Sequence, residues 1–138
     1  KEIETRHLDT INKLLGKKSD VRKQFEKMLE DLKDILNGVF LIKELTPRTK
    51  DIICSFGERF SASIISGAFS EKGIASVYLD TREVIKTDKN FGAAKVDFKL
   101  SNKLIAEYYK KNEKLIIATG FIGSTPDNET TTLGSPAL

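Results

Sequence analysis

Apolar residues recur at helical spacing in three long stretches of the chain, residues 2–15, 21–36 and 47–72. In the second stretch the apolar positions are Val21, Phe25, Met28, Leu29, Leu32, Ile35 and Leu36. An apolar stripe of this period is typical of an amphipathic helix. Because Gly16-Lys17-Lys18 interrupts the pattern, we expect the first two stretches to form an antiparallel helical pair within residues 1–37.

Short polar residues and proline mark the expected ends of these helices. Ser19 or Asp20 can cap the second helix, and Asn37-Gly38 tolerates the positive φ that commonly ends one. Thr46-Pro47 is the predicted start of the third helix, because proline fits the first helical position beside a capping threonine.

Two short apolar runs, at 75–79 and 115–118, predict strands. The second run, Leu-Ile-Ile-Ala, has no polar position, which is typical of a strand buried in a parallel sheet. Residues 84–87 and 94–98 are interpreted as the arms of a hairpin, and Ser101 is expected to cap a fourth helix.

Helices that alternate with strands predict an α/β fold. Two core strands and one hairpin would make a small sheet for a complete doubly wound domain. We therefore expect the chain to be part of a larger domain, or to dock on further polypeptide. Residues 38–138 would form its α/β portion, after the helical pair.

The composition narrows the classes of partner. The 138 residues are 39% hydrophobic and 31% charged, with a formal net charge of +3, which is typical of a globular chain. The basic residues do not form the dense stripe that nucleic acid would require. No apolar stretch approaches the roughly 20 residues of a membrane span. We expect neither nucleic acid nor a membrane as a partner.

The chain contains one cysteine and one histidine. Cys54 cannot form an internal disulfide, which fits a reducing compartment such as the cytoplasm. We interpret it as a small core residue on an apolar helix face, with a nucleophile as the alternative. His7 lacks the Cys or His neighbours of a metal site, so the sequence predicts no metal site.

The turn that follows the strand 115–118 is the first candidate for a binding site. Ligands of open α/β sheets bind at the carboxyl ends of the strands, and Gly120 and Gly123 would allow close backbone approach there. The alternative is a tight turn without a ligand.

A carboxylate on the third helix is the second candidate. Gly57 should cost helix stability, so we expect close packing against a backbone or a ligand to offset that cost. Glu58 lies near the edge of the apolar face, and a carboxylate there could accept hydrogen bonds from an ammonium group. The alternative is an exposed helix glutamate.

Threonines 130–132 are the third candidate, because three hydroxyl groups could serve a phosphoryl-transfer centre. An edge strand is the alternative. Since Pro126-Asp127-Asn128 predicts a turn, we expect residues 116–122 and 129–133 to form a hairpin-like return. A Walker-type phosphate loop and a serine–histidine pair are absent from the sequence.

Four motifs together resemble the aspartate kinase family. They are Ser-Phe-Gly-Glu-Arg at 55–59, Asn-Phe-Gly-Ala-Ala at 90–94, Thr-Gly-Phe-Ile-Gly at 119–123 and Thr-Thr-Thr-Leu-Gly at 130–134. Their order and approximate spacing match that family over about residues 38–134. Its enzymes phosphorylate the side-chain carboxylate of L-aspartate with ATP, and the loop 125–128 is more similar to the forms fused to homoserine dehydrogenase.

The resemblance implies an amino-acid-kinase fold, a three-layer α/β/α sandwich in which aspartate and ATP meet over the strand ends. Glu58 matches the family glutamate that holds the aspartate ammonium, and Phe121 matches the aromatic residue whose backbone borders that substrate. Ser55, Gly120 and Thr132 lie in the same motifs and are further substrate-binding candidates. ATP and Mg²⁺ would be the cofactors of the parent enzyme.

Two family motifs have no counterpart in this sequence. They are an opening Lys-Phe-Gly-Gly-Thr-Ser stretch and a Gly-Arg-Gly-Gly-Ser-Asp stretch after the threonines; here Gly134 is followed by Ser-Pro-Ala-Leu. We therefore expect a partial catalytic domain over residues 1–138, without the phosphate-anchoring, nucleotide-binding and regulatory parts. Alone, it should be inactive and bind no cofactor.

Three hypotheses follow from this comparison. The first is the aspartate-binding segment of a kinase, whose partners are L-aspartate, the remainder of the kinase chain and, because apolar faces would be exposed, further copies of itself. The second is a truncated, non-catalytic paralogue that acts as an interaction or regulatory module. The third is an α/β fragment without a ligand.

Overall fold

The computed structural model describes residues 1–15 and 19–134. In these residues the elements follow one another along the chain as α1 (Glu2–Leu15), α2 (Asp20–Ile42), α3 (Pro47–Glu71), β1 (Ser76–Leu79), a 3₁₀ turn (Thr81–Glu83), α4 (Phe98–Lys110), β2 (Leu115–Ala118), β3 (Ile122–Ser124) and β4 (Thr130–Thr132). No helix in the described part of the chain is long and apolar enough to cross a membrane.

The first three helices pack together around the main apolar core, as their stripes predict. Its buried members are Ile11, Leu15, Phe25, Met28, Leu29, Leu32, Phe56, Phe60 and Ile64. His7 packs against this cluster: its ring stacks on Phe25 at 5.4 Å between centroids and meets the edge of Phe60 at 5.3 Å. Its Nδ1 lies 2.7 Å from the carbonyl oxygen of Ile3. His7 is therefore a packing residue of the helical layer.

The start of α2 matches the prediction, and its end does not. Ser19 is the cap, since its hydroxyl accepts a hydrogen bond from the Arg22 amide. The helix runs through Asn37-Gly38 to Ile42, where Lys43 takes the left-handed conformation at φ 57°. A glycine costs about 1 kcal/mol in a helix, which an established helix tolerates. The expected end of this helix at Asn37-Gly38 is thus wrong. The predicted break between the first two helices, at 16–18, lies outside the described residues.

Helix α3 begins as predicted, with Thr46 as the cap and Pro47 in the first turn. The close approach expected at Gly57 is wrong for the described structure, because a Cβ built there meets nothing within 4 Å. Gly67 has that role instead. A Cβ at Gly67 would lie 2.6 Å from Val21 Cγ2 and 3.2 Å from Leu15 Cδ1, so this glycine lets α3 approach the helical pair.

Strands β1 and β2 form a parallel pair in the register Ser76–Leu115 to Leu79–Ala118. Both strands lie against α3. The expectation of a fully buried β2 is wrong: Leu115 is 46% exposed and Ala118 is also exposed. In the described residues β2 has a single partner strand, so its apolar composition is only partly covered.

The hairpin expected from 84–87 and 94–98 is also wrong. These arms share one isolated antiparallel bridge, Thr87 to Val96. The second arm becomes helix, because the Asp97 carboxylate caps α4 by accepting from the Leu100 amide at 3.0 Å. Ser101, the predicted cap, lies inside α4, where its buried hydroxyl accepts from the Lys86 amide at 2.9 Å.

Strands β3 and β4 form an antiparallel hairpin that pairs Ile122 with Thr132 and Ser124 with Thr130. The predicted return over 129–133 is confirmed, but its first arm is β3 and not the strand at 115–118. In the described residues β4 pairs with β3 alone, so the edge-strand alternative describes its place in the sheet, although all three of its threonines are buried. The hairpin packs on α3, which therefore contacts both sheets.

Candidate functional site

The carboxylate of Glu58 meets the turn that follows β2. Its Oε2 accepts a hydrogen bond from the Gly120 amide at 3.2 Å, across 62 residues of sequence. A Cβ on Gly120 would lie 3.3 Å from the same oxygen, so the glycine permits this approach. The structure brings the two strongest sequence candidates together.

Phe121 is the third member of this site. Its backbone takes a left-handed φ of 60°, which a bulky residue rarely adopts outside a constrained turn. Its carbonyl accepts from the Leu133 amide at 2.9 Å, and its side chain is 48% exposed. The turn therefore presents an aromatic ring to solvent while its backbone stays fixed to the end of β4.

Two buried threonines, Thr81 and Thr119, fix the same turn by hydrogen bonds. The Thr119 hydroxyl accepts from the Thr81 amide at 2.9 Å, and the two hydroxyl oxygens lie 2.6 Å apart. The Thr81 hydroxyl donates in turn to the Ile122 carbonyl at 2.9 Å. Such a satisfied buried network favours one rigid conformation of the turn.

Ser55 and Thr132, two further candidates, keep their hydroxyl groups inside the fold. Ser55 is fully buried and donates to the Ile52 carbonyl at 2.7 Å. The Thr132 hydroxyl donates to Asp51 Oδ1 at 2.7 Å. Both hydroxyl groups thus donate to internal acceptors, and the candidates that the structure brings together are Glu58, Gly120 and Phe121.

Asp51 is a buried residue that sequence reasoning missed. It is 2% exposed, and its Oδ2 accepts from the backbone amides of Gly92 at 2.8 Å and Thr132 at 3.0 Å. It precedes Glu58 by two helical turns, so both carboxylates lie on the same side of α3. That spacing alone did not indicate its burial, because an exposed aspartate at the same position would have it too.

A cavity of about 390 Å³ opens beside this site. Its walls are formed by Leu45, Thr46, Pro47, Lys50, Asp51, Cys54, Gly92, Phe121 and Thr132. The expectation that Cys54 is a core residue is wrong, because this cysteine is exposed. Its position follows from its place on the polar side of α3, one turn after Lys50. The cavity combines apolar walls with one ammonium group, a composition suited to a small polar ligand.

Three charged residues cluster immediately after β1. Asp80 accepts from Arg82 at 2.6 Å and lies 3.5 Å from Arg59 Nε. Burial favours a higher pKa for the Asp80 carboxyl, but the hydrogen bond and charge of Arg82 outweigh it and hold that pKa below its ordinary value. Burial, followed by the charge of Asp80, raises the pKa of Tyr78 to about 12. Because Arg59 pairs with Asp80, Glu58 remains free of it, as the helix geometry predicts.

Lys86 connects the 3₁₀ turn to the β3–β4 hairpin. Its Nζ donates to the Arg82 carbonyl at 3.1 Å, the Ser124 hydroxyl at 2.8 Å and the Asn128 side-chain oxygen at 3.2 Å. Burial lowers the pKa of this ammonium group, and the charge of Glu83 opposes the shift. All three donors are used within the protein, so we assign Lys86 a structural role.

The carboxylates and other ligand-type side chains do not converge on a metal. Across residues 1–15 and 19–134, no three His, Cys, Asp or Glu side chains are grouped closely enough to hold an ion. The groups that the structure brings together are the carboxylate of Glu58, the amide of Gly120 and the turn that carries Phe121.

Comparison with known proteins finds matches that cover most of the chain. The profile of the family described as "Amino acid kinase family" matches residues 4–135. The bifunctional aspartokinase/homoserine dehydrogenase 1, chloroplastic, of Zea mays is 32% identical over 137 residues, which is 96% of this chain and 15% of the relative. The lysine-sensitive aspartokinase 3 of Escherichia coli (strain K12) is 31% identical over 116 residues, 83% of this chain and 25% of the relative.

Solved structures agree with these sequence relatives. The crystal structure of E. coli aspartokinase III in complex with aspartate and ADP superposes with a TM-score of 0.80 at 30% identity, over 87% of this chain and 27% of that one. The aspartate kinase of Clostridium acetobutylicum gives a TM-score of 0.69 at 25% identity, over 97% of this chain and 26% of that one. The predicted α/β fold is confirmed, and the chain spans about a quarter or less of the length of these relatives.

Proposed function

The chain belongs to the amino acid kinase family, and from this premise we propose that it forms the aspartate-holding part of an aspartate kinase catalytic domain. The complete enzyme would transfer the γ-phosphate of ATP to the side-chain carboxylate of L-aspartate. The observation that carries the proposal is the contact between Glu58 and the Gly120 turn. Through this contact the carboxylate lies at the carboxyl end of β2, and open α/β sheets bind ligands at such ends.

Glu58 would hold the α-ammonium group of aspartate. One of its oxygens accepts from the Gly120 amide, which orients the carboxylate and leaves the other oxygen for the substrate. A charge-assisted hydrogen bond between ammonium and carboxylate is among the stronger polar contacts in proteins. It selects an amino acid over a dicarboxylate without an amine, and the Phe121 backbone would border the bound molecule.

ATP and Mg²⁺ belong to the proposed reaction of the whole enzyme. The similar E. coli structure contains aspartate and ADP. When bound, ATP supplies the phosphoryl group and Mg²⁺ neutralises charge during transfer. No cluster of ligand side chains in the described residues fits the metal, so we derive no step through it. This chain's contribution is to bind and orient aspartate, and we expect no turnover by the 138 residues alone in an ADP-release assay.

An NMR titration tests the proposal. We expect addition of L-aspartate to the ¹⁵N-labelled chain to shift the Gly120 and Phe121 amides, with a dissociation constant on the order of millimolar. Succinate, which lacks the ammonium group, should shift them far less. Glu58→Gln should weaken aspartate binding by roughly tenfold or more, because the charged hydrogen bond is lost.

Glu71→Gln is a matched control, since Glu71 lies on the same helix and is exposed. It should bind aspartate like the wild type. The proposal fails if aspartate and succinate shift the two amides equally, or if Glu58→Gln binds like the wild type.

An interaction or regulatory module is the second candidate, and the end of α2 favours it. Phe40, Leu41 and Ile42 are 73%, 71% and 72% exposed, and apolar side chains in such a group mark interaction sites. We propose that this segment contacts the remainder of a kinase chain or a second copy of this chain. The native transcript separates the candidates: a reading frame that continues into the family's Gly-Arg-Gly-Gly-Ser-Asp motif supports the kinase, and one that stops supports the module.

The pathway and location of the parent are also proposals. We infer a role in the biosynthesis of lysine, threonine and methionine, because the proposed reaction would phosphorylate aspartate and the resemblance is to enzymes of that pathway. Several relatives carry the name of a form fused to homoserine dehydrogenase, which supports a fused parent. The cytoplasm is the proposed location, since the one free cysteine fits a reducing compartment; imaging of the tagged native protein tests it against a plastid.

A further inference from the structure

Asp51 links three parts of the chain that are distant in sequence. Its carboxylate accepts from Gly92, 41 residues away, and from both the amide and the hydroxyl of Thr132, 81 residues away. Because the carboxylate is almost completely buried, these three hydrogen bonds replace the water it would otherwise bind. Helix α3 is thereby fixed to the end of β4 and to the loop before Ala94.

These contacts form part of a closed ring that contains the proposed aspartate site. From Asp51 the ring passes through Thr132 to Leu133, whose amide donates to the Phe121 carbonyl at 2.9 Å. From Phe121 it passes to Gly120, whose amide donates to Glu58. Two turns of α3 lead from Glu58 back to Asp51 and close the ring. Each hydrogen bond in it restrains the others.

We propose that Asp51 is a positioning residue, which sets the distance between Glu58 and the Gly120 turn without touching the substrate. Three internal hydrogen bonds already use both oxygens of its carboxylate, and its place in the ring gives it control of the geometry. The inference rests on the proposed function, because it assigns Asp51 a part in aspartate binding at the Glu58 site.

Asparagine and alanine at this position separate positioning from the loss of a charge. Asp51→Asn keeps an oxygen for the two backbone amides and offers its amide group to the Thr132 hydroxyl, which can turn to accept. Asp51→Ala removes every partner. We expect Asp51→Ala to weaken aspartate binding about tenfold or more, and Asp51→Asn to stay within roughly threefold of the wild type.

The Gly120 amide provides a readout that needs no ligand. In the ¹⁵N-labelled chain without aspartate, Glu58→Ala gives the resonance position of a Gly120 amide that lacks its acceptor. Asp51→Ala should move the Gly120 resonance toward that position, and Asp51→Asn should not. If Asp51→Ala does not fold, Thr132→Val decides, because it removes a single donor to Asp51 and should move the resonance part of the way.

Ile11→Val is the control for general loosening, since Ile11 is fully buried in the core of the helical layer. It should leave both the Gly120 resonance and aspartate binding unchanged. The inference is overturned if Ile11→Val moves Gly120 as far as Asp51→Ala does, if Gly120 is unmoved in the deciding variant, or if asparagine and alanine act alike. If the wild type does not bind aspartate, the proposed function fails, while the Gly120 resonance still decides whether Asp51 positions the turn.

Discussion

The negative charge of Asp80 should stabilise the fold at neutral pH, and this stabilisation should be lost in acid. Its pKa in the folded protein is held below the ordinary value by Arg82, against the opposing effect of burial. A carboxyl group with a lowered pKa stabilises the fold above its unfolded pKa of about 3.9, and that stabilisation is lost as the pH falls through the folded pKa. The acid side of the stability curve should therefore depend on this residue.

We predict that Asp80→Asn lowers the free energy of unfolding by about 1.5–3 kcal/mol at pH 7, because Arg82 loses a charged hydrogen-bond acceptor. The difference from the wild type should begin to shrink below about pH 4, the unfolded pKa, and should vanish as the pH falls through the lower pKa of the folded carboxyl. Urea unfolding at both pH values measures it. Asp34→Asn, at an exposed position of α2, should leave the free energy of unfolding at pH 7 near that of the wild type; an Asp80→Asn deficit that persists unchanged in strong acid would contradict the assignment.

The two carboxylates of α3 show how much of the site the sequence could predict. Glu58 could be found because it lies in a family motif and at the edge of an apolar stripe. Asp51 could not, because a buried aspartate beside Lys50 has the same local pattern as an exposed one. What distinguishes it are partners 41 and 81 residues away, and no local spacing contains them.

Helix α3 contains two glycines whose surroundings differ. Gly57 has open space where a Cβ would lie, whereas a Cβ at Gly67 would lie 2.6 Å from Val21 Cγ2. The Val21 side chain is short and β-branched, so it has little freedom to move aside. The same substitution should therefore have opposite effects at the two positions.

We predict that Gly57→Ala raises the free energy of unfolding by about 0.5–1 kcal/mol, through helix propensity alone. Gly67→Ala should lower it by about 1–3 kcal/mol, because α3 must move away from the helical pair. Urea unfolding of the two variants and the wild type measures both changes. Each variant serves as the control for the other, and equal changes of the same sign would show that the close approach at Gly67 has no energetic weight.

At the scale of elements, local sequence signals predicted helices and strands correctly where these signals agreed with tertiary packing. The start of α3 followed from Thr46-Pro47, and the stripe of α2 from its apolar period. The end of α2 was missed because its last residues remain apolar beyond Gly38. The hairpin at 84–98 was missed because Asp97 starts a helix there, and alternation alone cannot reveal that competition.

At the scale of the whole molecule, the small sheet was predictable and its arrangement was not. The sequence indicates too few strands for a complete doubly wound domain, and the described residues form two two-stranded sheets. That β1 pairs with β2 in parallel while β3 turns back to β4 depends on long-range hydrogen bonds. Helix α3 unites these parts, since it contacts the helical layer, the parallel pair and the hairpin.

The same arrangement leaves an apolar end on α2 that should govern the association of the isolated chain. Phe40, Leu41 and Ile42 are consecutive, so they point to different sides of the helix and are each more than two-thirds exposed. Burying one such side chain contributes about 1.5–3 kcal/mol, so burying all three against another copy would favour association of the chain with itself.

We predict that the chain forms dimers or larger species and that the triple change Phe40→Ser, Leu41→Ser and Ile42→Ser weakens this association at least tenfold, because the buried apolar area is lost. Sedimentation velocity over a range of concentrations measures the change. Phe98→Ser is the control, since Phe98 is equally exposed, at 70%, but lies on α4; it should associate like the wild type. A wild-type chain that stays monomeric at every concentration would refute the prediction, and a Phe98→Ser variant that dissociates instead would move the contact surface from α2 to α4.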